Sequence, residues 1–160
     1  MADGEQRVER VALLLIAAST LVKIGVLLTQ KTYLAPRTWE YEILAQSLLQ
    51  GTGYQITQLN MEHLSLGPPL FSFFCAGIYW IIGHSFLAVL LLQVFLSALL
   101  AYVVYRIGAN LFCPVCSVIA CGLVTFHPGL AYYAVWQIHP LLLDATLIAL
   151  VYWSTLRTLG

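Results

Sequence analysis

The chain has 160 residues, 61% of them apolar and only 9% charged, with seven acidic and seven basic side chains. Soluble domains run at about 25% charged, so this composition excludes an ordinary soluble globular fold. Zero net charge removes the basic patch that nucleic-acid binding would need, and a mean hydropathy of +0.87 points to several membrane spans.

Met1 to Arg10 reads as a short polar tail without order. Val11 to Thr29 is the first span, interrupted by Lys23. A lysine stem can carry its ammonium from within a span to a polar surface or cavity. The apolar run continues to Leu28, too long for the core of a cleavable signal. Lys31 and Arg37 follow on the far side.

Residues 30–85 then form a large external loop, whose polar centre runs from Pro36 to Pro69 and holds Glu40, Glu42 and Glu62. Pro36 is expected to end the first helix. Thr38 is the expected cap of a second one, with Trp39, Glu40 and Tyr41 in its first turn. Tyr41, Leu44, Ala45, Leu48 and Leu49 share a face at helical spacing, and Gly51 is a natural stop. Such a short amphipathic helix suits a membrane surface. Gly53 to Thr57 can be extended, and Asn60 to Gly67 reads as loop. Leu70 to Gly83 is uncharged but only 14 residues long, which fits an interfacial or re-entrant helix better than a full span.

Three further spans follow: 86–105, 113–136 with a kink at His127-Pro128-Gly129, and 140–156. The chain is thus an all-α integral membrane domain of four helices, or five if Leu70–Gly83 crosses. Basic residues arbitrate. With four spans, Arg7, Arg10, Arg106 and Arg157 share one side and Lys31 and Arg37 the other. With five, Lys31, Arg37, Arg106 and Arg157 oppose Arg7 and Arg10. Four spans with both termini inside give the better positive-inside count. That arrangement puts Glu40, His139 and Asp144 at the outer end.

Each candidate site residue has a plain alternative. Glu40 and Glu42 lie about 200° apart on a helical wheel, and acids in a first turn also complement the helix dipole. Either could be a general base beside an acceptor hydroxyl. Lys31 and Arg37 can bind a phosphate or merely lipid headgroups. Glu62 and His63 sit in polar loop. His84 and His127 flank turns, where an imidazole satisfies local backbone groups. Asp144 can face a cavity under the loop with His139, or pair with Lys23. Tyr132, Tyr133 and Trp136 fit an outer aromatic belt. Cys113 and Cys116 have metal-like spacing, but no further ligands lie nearby, and small buried residues opening a span explain them.

The segment from Glu40-Tyr41-Glu42 through Ile43-Leu44-Ala45-Gln46-Ser47-Leu48-Leu49-Gln50-Gly51-Thr52-Gly53-Tyr54 resembles a loop pattern of membrane glycosyltransferases with the C-type fold. That pattern is an acid and a tyrosine, then Ile-Ala-x-Ser-Leu, then Gly-x-Gly before an aromatic residue. Pro68-Pro69-Leu70, Ile78-Tyr79-Trp80-Ile81-Ile82-Gly83, Tyr105-Arg106-Ile107-Gly108 with Leu111-Phe112, and Phe126-His127-Pro128 also fall in that family's order. The family includes protein mannosyltransferases and lipid A aminoarabinose transferases, and the likeness covers roughly residues 10 to 157.

The resemblance implies inverting transfer of a sugar from a polyprenyl-phosphate donor to a lipid, glycan or protein acceptor, outside the cytoplasmic membrane. It implies a loop carboxylate as base. Many members have an aspartate four residues before the loop tyrosine, where this chain has Arg37. Others have a glutamate just before the tyrosine, as Glu40 is here, so Glu40 is the first candidate and Glu42 the second. His63, His139, Asp144, Lys31 and Arg37 are the substrate-binding candidates. A divalent metal serves some relatives, and no ligand cluster here demands one. Relatives usually carry more spans, so the expected partners include a remainder of the enzyme or a partner subunit, besides membrane lipids. The rival expectation is a small multi-span scaffold without catalysis.

Overall fold

The computed structural model describes residues 2–58, 61–64 and 69–159, with side chains over 6–55 and 69–158. Its helices are α1 (Ala2–Thr29), α2 (Glu40–Leu49), α3 (Pro69–Ile82), α4 (Phe86–Leu111), α5 (Pro114–Thr125), α6 (Pro128–Val135) and α7 (Leu141–Leu159). A small antiparallel hairpin, β1 (Gln55–Gln58) with β2 (Met61–Leu64), pairs Gln55 with Leu64 and Gln58 with Met61. The helical class expected from composition therefore holds, with one short hairpin where half was expected to be loop. The tail expected to lack order is helical from Ala2.

Among the described residues three helices are long and apolar enough to cross a membrane: Gln6–Thr29, Phe86–Leu111 and Leu141–Thr158. A fourth crossing is made only if α5 and α6 count together, and they bend by 48° at their junction. The bend has a local cause. Pro128 has no N–H to continue the ladder, and His127 starts α6 afresh, its Nδ1 accepting from the Leu130 N–H at 3.3 Å.

A helix that stops inside an apolar bundle frees carbonyls that water cannot serve. Here neighbouring side chains serve them. Ser19 Oγ donates to the Thr125 carbonyl at 3.2 Å. Thr32 Oγ1 donates to the Val135 carbonyl at 2.7 Å. Gln93 Nε2 reaches the carbonyls of Tyr133 at 2.7 Å and Gln137 at 2.9 Å. α4 is the hub, packing against α1, α5, α6 and α7. Lys23, buried in α1, donates to Ser97 Oγ of α4 at 3.1 Å; the expected alternative of a pairing with Asp144 is not made.

The ends of the bundle can be told apart. Val8 and Glu9 share a cleft with Tyr105, Arg106, Pro114 and Ser117. Arg106 and Arg157 lie over the same Trp153 ring, at 5.8 and 5.0 Å. Arg7, Arg106 and Arg157 therefore gather at one end. Lys31, Arg37 and the loop are at the other, where Thr32 meets Val135. α3 lies along α2: Tyr41 meets Phe71 edge-on at 5.7 Å near the start of α3, and Glu42 meets His84 just past its end. A ten-residue helix is only about 15 Å long, so touching both ends of α3 keeps α3 beside it. The chain enters α4 from the end at which it left α1.

Candidate functional site

The loop is fastened to the bundle by backbone. The Arg37 N–H donates to the Trp136 carbonyl, and the Ile138 N–H donates to the Arg37 carbonyl, both at 3.0 Å. This lone parallel bridge joins Arg37 to Gln137, 100 residues on in sequence. It aligns the approach to α2 with the link between α6 and α7. As a result Trp39 and Tyr41 pack edge-on against His139 at 6.1 and 6.5 Å, and Tyr133 lies 4.9 Å from the same ring.

Around these rings stand the open carboxylates. Glu40 and Asp144 are both exposed, each in the first turn of its helix. Burial raises the Tyr41 phenol above its ordinary value, and the charges of Glu40, Tyr54 and Asp144 push the same way. Tyr41 thus senses both carboxylates. Burial holds His139 below its ordinary value, against the opposing pull of Asp144. His139 Nδ1 accepts from the Leu141 N–H at 3.2 Å, which fixes the ring at the head of α7. The sequence placed Glu40, His139 and Asp144 at one end, and the structure brings them around one aromatic floor.

The second acid differs. Glu42 is 7% exposed. Its Oε1 accepts from His84 Nε2 at 2.8 Å and from Gln46 Nε2. Local backbone was the expected partner of His84, and Glu42 is the actual one. His127 does serve a backbone N–H group as expected, and His139 serves one as well. The buried face of α2 is also rotated from the expected one: Glu42 is buried and Leu49 exposed. Satisfying the carboxylate with two donors lets it occupy that face.

Other expectations are corrected. α1 ends at Thr29, where the first span was expected to end, so Pro36 is not what stops it, and Lys31 adopts a left-handed backbone with φ of 51°. Lys31 and Arg37 are exposed. Trp39, not Thr38, occupies the cap of α2, and no side chain caps it. Cys113 and Cys116 are exposed rather than buried, and Cys113 Sγ caps α5 by accepting from the Cys116 N–H at 3.3 Å. The side chains of Glu62 and His63 lie outside the described residues. Among the described residues no three His, Cys, Asp or Glu side chains group closely enough to hold a metal.

No family model, curated protein or solved structure matches the chain. The structure by itself defines a helical bundle with three helices able to cross a membrane and a fourth broken one, closed at one end by a docked loop that carries acids.

Proposed function

We propose that this chain carries the acceptor-facing loop of a membrane glycosyltransferase that uses a polyprenyl-phosphate sugar and works outside the cytoplasmic membrane. The observation that carries this reading is the bridge between Arg37 and Gln137. It holds two exposed carboxylates, Glu40 and Asp144, around Tyr41 and His139 at one end of an apolar bundle. A lipid-linked donor arrives at the membrane edge, which is where such a site would meet it.

The step is a single displacement with inversion. Glu40 takes the proton of the acceptor hydroxyl. The acceptor oxygen bonds to the anomeric carbon as the bond from that carbon to the phosphate oxygen breaks, and the polyprenyl phosphate leaves with the electron pair. Arg37 and Lys31, exposed at the same end, supply positive charge for the departing phosphate. Asp144 and His139 contact the acceptor or the sugar. The cationic end with Arg7, Arg106 and Arg157 faces the cytoplasm by the positive-inside bias.

A second reading has its own support. The outer face of α7 is bare along Ile148, Val151 and Tyr152, at 70%, 68% and 50% exposure. Further helices, from a remainder of the enzyme or from a partner subunit, would cover it, and a scaffold without catalysis would use it in the same way. Glu40→Gln separates the two readings in membranes supplied with polyprenyl-phosphate sugar. The enzyme reading expects transfer to fall by a factor of about 100 or more with insertion unchanged. Undiminished transfer would remove Glu40 from the chemistry, and no transfer by the unaltered chain would favour the scaffold.

A further inference from the structure

Glu42 and His84 form a second polar site, beside the first but built differently. His84 follows Gly83, whose φ of +87° turns the chain from α3 into α4. The imidazole is flanked by the rings of Tyr79 and Phe86, each 4.7 Å away. Its Nε2 lies 2.8 Å from the Glu42 carboxylate oxygen. Gln46 Nε2 also lies 3.1 Å from this Nε2, but an ionised carboxylate only accepts, so the Nε2 proton goes to Glu42, and the Nε2–H tautomer keeps its lone pair on Nδ1. Gln46 is oriented in the same way. Its amide nitrogen donates to the same Glu42 oxygen, which leaves the amide oxygen as an acceptor.

His84 and Gln46 line a groove of about 330 Å³ together with Leu49, Gln50 and Tyr79. The His84 side chain is 46% exposed there, while the Glu42 side chain behind it is 10% exposed. Tyr79 is 4% exposed, and its hydroxyl is buried with no hydrogen-bond partner among the described residues. A buried hydroxyl left unserved is costly, so its place beside the groove marks polar capacity that no described residue uses. The volume is at the small end for a ligand site, and no cation lines it. The lining offers acceptors, amide donors and an apolar wall.

We propose that this groove binds an uncharged, hydroxyl-rich ring of monosaccharide size, with a ligand hydroxyl donating to His84 Nδ1. Glu42 sets the tautomer that makes Nδ1 an acceptor. Gln46 and Gln50 take neighbouring hydroxyls, and Leu49 and Tyr79 cover the apolar face of the ring. This goes beyond the transfer reading, because it assigns recognition to a site that the open carboxylates do not form.

The test is nitrogen NMR of imidazole-labelled chain in lipid nanodiscs, titrated with a methyl hexopyranoside. Tetrahydropyran, a ring of similar size without hydroxyls, is the control. At rest the His84 ring should be protonated on Nε2 alone. The glycoside should shift the Nδ1 signal saturably, tetrahydropyran should not, and Gln50→Leu should weaken binding by about fivefold to tenfold. Gln50 is exposed at the end of α2, so its replacement leaves the fold intact. A ring protonated on Nδ1 at rest, a response that never saturates, or an equal response to tetrahydropyran would overturn the proposal. The readout is binding at His84, so failure here leaves the transfer reading standing, and loss of transfer in Glu40→Gln leaves this one standing.

Discussion

The two ends of the bundle are packed by different means. At the end holding Arg106, the buried cluster is small: Ala12, Ile16, Ala101, Tyr105 and Cys121. α4 and α5 approach so closely there that a Cβ on Gly108 would sit 2.9 Å from Ser117 Cα. At the loop end the cluster is larger and bulkier, with Leu27, Phe71, Tyr79, Ile138 and Leu142. Side-chain hydrogen bonds to freed carbonyls run through it. Unbroken helices need only small residues to meet in an apolar medium. Helices that stop inside the bundle need dedicated donors. The loop end carries that extra chemistry because α6 and the loop end there, and the same irregularity gives room for a site.

Substitutions should separate the two ends. Gln93→Leu keeps the side chain's bulk but strips the donor from two carbonyls, each costing about 1–3 kcal/mol when bare. It should give the largest loss of thermal stability in nanodiscs, and labelling near Trp136 should rise. An unchanged melting temperature would mean that the carbonyls of Tyr133 and Gln137 find other partners. Gly108→Ala comes next. Its methyl group meets Ser117 backbone rather than a movable side-chain tip, for a loss of about 1–3 kcal/mol. If instead it stabilised the protein, the close approach of α4 and α5 would be wrong.

The smallest effect is one of pH. Burial holds His139 below the ordinary value of 6.5, so the folded protein binds fewer protons than the unfolded chain. Its contribution is whole above that value and falls away as pH drops through it toward the folded one. Melting temperature should therefore decline on acidification below 6.5. His139→Gln should lessen that decline. Asp144→Asn should deepen it, because the opposing charge is gone. A slope the same in all three proteins would detach His139 from the response.

Much of this frame was legible in the sequence. Runs of apolar residues bounded by Arg106 and Arg157 gave the spans, and the proline after His127 marked the break. The 14-residue length of α3 set it apart from the helices long enough to cross a membrane. What was not legible depended on partners distant in sequence. Ser19 and Thr125 are 106 residues apart, and Glu42 and His84 are 42 apart. A helical wheel ranks residues by polarity, so it put Leu49 on the buried face of α2. Glu42 takes the inner place because two donors wait there: Gln46, one helical turn on, and His84, which no local pattern announces. The bridge of Arg37 to Gln137 is backbone alone and leaves no mark on residue type.

The central claim is that the acids and the cationic end lie on opposite sides of one membrane, with Glu40 facing out. The direct measurement is labelling of intact cells with an impermeant maleimide, using chains in which exposed Cys113 and Cys116 are replaced by serine. With Glu40→Cys the account predicts rapid labelling, and with Arg106→Cys none until the membrane is opened. Labelling at position 106 in intact cells, with position 40 protected, would contradict it.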